Sequence, residues 1–168
     1  MKILVAYMSK TGNTKKVAEA IFEGINDEKE IKAIDEVGSL EGYDFTFLGF
    51  PVQKMGPDKT TVKLLEKHCV NGRKVALFIT HASPEGVGEL GSWLDKFRQA
   101  ARGANIVDMF DCQGELAKNV KFIMSIWPNP KFRMWAKQDN SKGQPDKARL
   151  DRARDFSKNV MKRFHNPE

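Results

Sequence analysis

Residues 2–21 read KILVAYMSKTGNTKKVAEAI, and the join inside this stretch decides the fold. KILVAY, residues 2–7, is a continuous apolar run, which suits a strand covered on both faces. From residue 14 the apolar residues Val17, Ala18, Ile21 and Ile25 recur at helical spacing. Between the two lies MSKTGNT, residues 8–14, with hydroxyls at Ser9, Thr11 and Thr14, an amide at Asn13 and one glycine. A helix amino end carries unpaired N–H groups and about +0.5 charge. A phosphate placed there meets backbone donors from Thr11 to Thr14 and the nearby hydroxyls, while Gly12 permits positive φ and close approach. Lys15 and Lys16 oppose the helix dipole, at a cost of a few tenths of a kcal/mol each, roughly, and a bound dianion reverses that sign. The same residues also suit a ligand-free Thr/Asn cap, and the stretch alone leaves both readings open.

Outward from this join the pattern alternates. FTFLGF (45–50), KVALFIT (74–80) and ANIVDMFDC (104–112) are further strand candidates, and EIKAIDEV (30–37) is a weaker one. Helices are expected over 14–25, 58–69, 88–101 and 145–164. Asn71-Gly72 and Gly103 are placed to stop the second and third of these, and Pro145-Asp146 to start the last. The order implies a doubly wound α/β sheet, in which ligands bind beyond the carboxyl ends of the strands at the switch point in strand order. A single domain over 1–168 is expected, with an irregular insertion at about 115–144 before the last helix.

Composition narrows the class. The 168 residues are 40% hydrophobic and 30% charged, which suits a soluble globular domain. No run approaches the roughly 20 apolar residues of a membrane span, and the amino end lacks a signal-peptide pattern. Cys69 and Cys112 form no disulfide framework, and His68, His81 and His165 are scattered, so a reducing, cytoplasmic setting without a structural metal is expected. The net charge of +6 is uneven: residues 1–112 sum to −1 and residues 113–168 to +7. A basic surface steers acidic partners, and it also serves simply as a solvated helix face. Trp127 and Trp135 stand among lysines and arginines in the insertion, as a satellite apolar cluster, a lid or a docking surface. No recognised nucleic-acid motif accompanies them, so nucleic acid is not an expected partner.

Other phosphate loops do not fit. A Walker A loop needs a second glycine and a dinucleotide fingerprint needs three, and residues 8–14 hold one. A receiver domain would need paired acids after the first strand, and none are there. The run Ser9-Lys10-Thr11-Gly12-Asn13-Thr14 instead resembles the [ST]-x-T-G-x-T phosphate loop of flavodoxins, and it stands where they place it. FPVQKMGPD, 50–58, resembles their second flavin-binding loop, and THASPEGVG, 80–88, matches a third by position only.

The resemblance implies a flavodoxin-like five-stranded parallel sheet of order 2-1-3-4-5 and bound FMN. Ser9, Lys10, Thr11, Gly12, Asn13 and Thr14 would take the phosphate. Pro51, Val52, Gln53, Lys54, Met55 and Gly56, with His81, Ala82 and Ser83, would surround the ring. Val52 and Met55 offer it apolar surface, and Gln53 can bond its polar edge. Met55-Gly56 is the peptide expected to turn its carbonyl toward the ring on reduction, because glycine permits the positive φ one orientation needs, and such a turn favours the semiquinone. Ser83, backbone N–H groups or a protonated His81 could meet the pyrimidine side, and His81 could equally cap a turn. Cys112 ends the fifth strand near the same edge, as a buried small hydrophobe or a neighbour of the flavin.

The function implied is an electron carrier, a monomer or weak dimer, passing electrons between a reductase and an acceptor. Flavodoxins are usually acidic and this chain is basic, so its redox partner is expected to carry an acidic docking patch. A flavodoxin-like reductase or oxidase of a small planar substrate, a quinone or tetrapyrrole, is the alternative. An interaction module that has lost the flavin is another.

Overall fold

The computed structural model describes residues 1–166. Five strands, β1 (Lys2–Tyr7), β2 (Glu28–Ala33), β3 (Phe45–Pro51), β4 (Lys74–His81) and β5 (Asn105–Gln113), form one parallel sheet of order β2-β1-β3-β4-β5. The helices are α1 (Asn13–Gly24), α2 (Lys59–His68), α3 (Leu90–Ala100), α4 (Lys118–Ile126), α5 (Pro130–Gln138) and α6 (Lys147–His165). The doubly wound fold and its strand order are those expected from the sequence.

The two-residue period of the strands builds both cores at once. Leu4, Ala6, Leu48, Phe50, Val75, Leu77 and Ile79 pack on the side of the sheet that meets α3 residues Trp93, Leu94 and Phe97. Ile3, Val5, Phe45, Phe47, Ala76 and Phe78 pack on the other side, against α1 residues Val17, Ala18 and Ile21 and α6 residues Ala153, Val160 and Met161. Helix starts follow their caps: Asp58 accepts from the Thr61 N–H at 2.8 Å, and Asp146 from the Arg149 N–H at 3.0 Å.

Two expectations need correction. The second strand lies at Glu28–Ala33 and not over 30–37, because Ile34–Glu36 close into a 3₁₀ turn that buries Ile34 and Val37 under the sheet. Residues 115–144 are not simply irregular. They hold α4 and α5, a helical hairpin turned at Trp127-Pro128-Asn129, with Asn129 capping α5 ahead of Pro130. Among the described residues no helix is long and apolar enough to cross a membrane.

A candidate anion and ring site at the sheet edge

β1 has β2 on one side and β3 on the other, so chain connections leave it in opposite directions and a crevice opens beyond its carboxyl end. The loops after β1, β3 and β4 gather there. Met8 N–H donates to the Gly49 carbonyl at 2.9 Å, and Val52 N–H to the Thr80 carbonyl at 2.8 Å. The Lys10 ammonium donates to Gln53 Oε1 at 2.8 Å and stands 3.6 Å from Asp58, tying the first loop to the second. Burial opposes ionisation of Asp58, but the Thr61 and Lys10 bonds outweigh it and hold its carboxyl below the ordinary value.

The start of α1 is the most telling part. Its cap residue, Gly12, sits at φ 91°, and no side chain caps the helix although four capable residues surround it. The Ser9 hydroxyl accepts only the Gly12 N–H, at 3.1 Å. Asn13 and Thr14, expected to offer side-chain donors to an anion, are occupied elsewhere. Asn13 Nδ2 donates to the Glu115 carbonyl at 2.8 Å, and the buried Thr14 hydroxyl bonds that of Thr80 at 2.8 Å. What faces the crevice is therefore the first-turn backbone N–H groups, with the exposed Thr11 beside them.

The second loop departs from expectation in one respect. Positive φ falls on Lys54 (50°) and Met55 (66°), not on Gly56. The two left-handed residues let Gln53 N–H reach the Gly56 carbonyl at 2.7 Å, which closes the loop on itself. Gly56 instead lies under the Lys96 side chain, whose ammonium takes the Met55 carbonyl at 3.0 Å. Pro51 and Val52 are half-buried and Met55 is exposed. Gln53 Nε2 is buried without a hydrogen-bond partner, a costly state for an amide unless a ligand completes it.

In the third loop both nitrogens of the buried His81 ring meet protein oxygens: Nδ1 the Ser83 carbonyl at 2.8 Å, Nε2 the Asp111 carboxylate at 3.1 Å. His81 thus shapes the turn and offers the crevice no free ring nitrogen, and Ala82 and Ser83, which follow it in the loop, are half-buried. Cys112 is fully buried among α1 and α6 side chains, and burial pushes its thiol up to about 12. Sequence reading passed over Lys96 and Gln113, and it quoted Thr80 and Glu85 only within the 80–88 run, without a role. Gln113 Nε2 ties the Ala82 carbonyl to Asn140 Oδ1, and Glu85 accepts from Arg149 and Arg152. Gln113 had a signal, its place at the carboxyl end of the fifth strand; Lys96, on an exposed helix face, had none.

A doubly wound parallel sheet with an uncapped anion-ready helix start after its first strand defines the flavodoxin-like class. A model of the flavodoxin domain matches residues 4–158. The chain is 33% identical to the flavodoxin-like domain-containing protein BilS of Clostridioides difficile (strain CD3), over 96% of this chain and 97% of that one. Among solved structures it is similar to oxidised flavodoxin 2 from Bacillus cereus, with TM-score 0.61 and 20% identity over 98% of this chain and 100% of that one. It also resembles a flavoprotein from Lactobacillus acidophilus in complex with FMN, with TM-score 0.55 and 22% identity over 66% of this chain and 92% of that one. The chain belongs to the flavodoxin family.

Proposed function

We propose that this chain binds FMN in the crevice and carries electrons between protein partners. The observation that carries the reading is the uncapped α1 start, where first-turn N–H groups and the Gly12 turn face open space between polar loops. The buried, unpartnered Gln53 Nε2 is the second fit, since a heterocycle edge rich in acceptors would complete it. The similar Lactobacillus flavoprotein, described in complex with FMN, supports the cofactor's identity.

In this reading the backbone N–H groups of Thr11, Asn13, Thr14 and Lys15 and the Thr11 hydroxyl hold the phosphate, the Gly12 N–H being taken by Ser9. Val52 and Met55 flank the ring, and Gln53 Nε2 with the backbone of 53–56 and 82–83 bonds its polar edge. The Lys96 ammonium bonds the Met55 carbonyl, so any turn of the Met55-Gly56 peptide must first break that bond. FMN when bound supplies the redox chemistry, taking up and releasing electrons singly or in pairs. The protein supplies orientation, and among the described residues no nucleophile and base pair stands in the crevice.

An absorption spectrum of the purified chain, followed by titration of the flavin-free form with FMN, tests the proposal. Flavin bands and saturable one-to-one uptake are expected. A colourless protein that takes up no FMN overturns it and leaves an interaction module. Steady turnover of a quinone or tetrapyrrole without any protein partner would replace the carrier with a reductase.

A further inference from the structure

The α4–α5 hairpin shows an unusual surface. No residue of α4 is buried, and Phe122 and Ile126 are each 65% exposed, with Trp127 and Met134 each at 48%. Residues 116–138 hold five cations, Lys118, Lys121, Lys131, Arg133 and Lys137, and no acid. Two nine-residue helices are marginal alone, so something must hold them in place. At the hairpin's base the Leu116 N–H donates to Ser141 Oγ at 2.8 Å and the Glu115 N–H to the Gln144 carbonyl at 3.0 Å. The Asn13 amide, at the phosphate loop itself, grips the Glu115 carbonyl. Lys131 reaches Glu89 ahead of α3 at 2.7 Å. Inside the hairpin, Arg133 donates to the Trp127 and Pro128 carbonyls, each at 2.7 Å, and fixes the turn. The hairpin is a braced platform that rises from the carboxyl edge of the sheet, beside the candidate site.

Between the two helices runs a groove whose apolar lining is Phe122 and Ala136, with Lys118, Lys121, Arg133 and Lys137 around it. Only Lys121 of those four has a carboxylate partner among the described residues, Asp139 at 2.8 Å. An apolar centre ringed by cations, three of the four without a carboxylate partner among the described residues, is the complement of a protein surface with one apolar side chain flanked by Asp or Glu. Exposed Trp, Phe, Met and Arg are the side chains that anchor such contacts. The cations converge on a concave groove, which favours a protein knob over a flat lipid surface.

We propose that the α4–α5 hairpin is the docking surface for the protein that exchanges electrons with this chain, an acidic partner whose apolar side chain enters the Phe122–Ala136 groove. What the partner is for rests on the proposed function; the surface and its chemistry do not. The test uses the full chain, with and without FMN, and a labelled 20-residue helical peptide with leucine every third or fourth position on a glutamate background. Fluorescence anisotropy should show saturable binding that weakens with salt. Lys118→Glu with Lys137→Glu, and separately Phe122→Ser, should each weaken it about tenfold or more, with thermal midpoints unchanged because all three side chains are exposed. Equal binding of a lysine-for-glutamate peptide, absence of binding at low salt, or variants that bind like the parent overturns the proposal. Co-sedimentation with phosphatidylglycerol vesicles that the acidic peptide cannot compete away overturns it in favour of a membrane. Peptide binding in a chain that refuses FMN leaves the docking surface and removes the carrier reading; FMN uptake without peptide binding does the reverse.

Discussion

Thr14 and Thr80 each bury a hydroxyl at the edge of the crevice and satisfy both with one 2.8 Å bond. Thr14→Val removes one partner and leaves the other buried and unpaired, which costs about 1–3 kcal/mol. A lower urea midpoint is expected, with FMN affinity little changed because this hydroxyl is already taken by Thr80; a large loss of affinity at unchanged stability would show that it turns to the phosphate. The cysteines make a second test. Burial pushes the thiols of Cys69 and Cys112 up to about 12, so almost no thiolate exists at pH 8. An aromatic disulfide reagent should label neither in the folded protein within the time that it labels two equivalents in denaturant. At this scale the sequence could nominate residues but not their partners. Asn13 was a sound candidate for an anion ligand by type and place, yet its amide goes to Glu115, 102 residues on, and nothing local announces that bond.

α1 and α6 meet on one face of the sheet, and Gly24 packs directly against α6. A Cβ at Gly24 would fall 2.2 Å from Ser157 Oγ and 2.5 Å from the Arg154 carbonyl oxygen, and backbone cannot yield as a side chain does. Gly24→Ala should therefore destabilise the protein by about 1–3 kcal/mol, read by denaturant unfolding, despite alanine's better helix propensity. The edge strand β2 makes a different prediction. Glu30 accepts from Lys32, from the Tyr43 hydroxyl at 2.6 Å and from Lys2 at 2.9 Å, and these hold its carboxyl down to about 2 against an ordinary 4.5. A depressed folded value contributes stability that is whole above about pH 4.5 and is lost as pH falls toward 2. Glu30→Gln should flatten the fall of thermal midpoint across that window, and an unchanged slope would assign the fall to other carboxylates. β1, β3 and β4 were legible because they are buried on both faces and read as apolar runs, and β5, mostly half-buried, was legible by its alternation. β2 is only half-buried, and its hydrophobic signal ran on into Ile34 and Val37, which belong to the turn that follows. The α4–α5 hairpin was illegible for the opposite reason: most of its large apolar side chains, among them Phe122, Ile126, Trp127 and Met134, are exposed, so no core-facing stripe marks a helix.

For the whole molecule, the order and position of residues 8–14 revealed the fold and nominated the candidate site, since strand, glycine turn and helix start are consecutive in sequence. The remaining loops converge only through parallel pairing of strands far apart in the chain, so their mutual geometry could not be read in advance. Positive φ at Lys54 and Met55 is a case in point: neither residue type advertises it, and the glycine beside them does not adopt it. The site's energetics can still be tested globally. An uncapped helix start with Lys15 and Lys16 in its first turn is an unfavourable arrangement until a dianion reaches it. A ligand that binds only the folded chain stabilises it by RT ln(1 + [L]/Kd), about 2.7 kcal/mol at a hundredfold excess over Kd. For a chain of this length that corresponds to a rise of roughly 5–10 °C in thermal midpoint. FMN should produce such a rise, and riboflavin, which lacks the phosphate, should produce clearly less at the same concentration. High salt should narrow the gap only modestly, because backbone N–H groups at a partly buried helix start are screened less than exposed lysines. Equal shifts from the two flavins would move the binding energy from the α1 start to the ring loops, and inorganic phosphate alone raising the midpoint would place it wholly at α1.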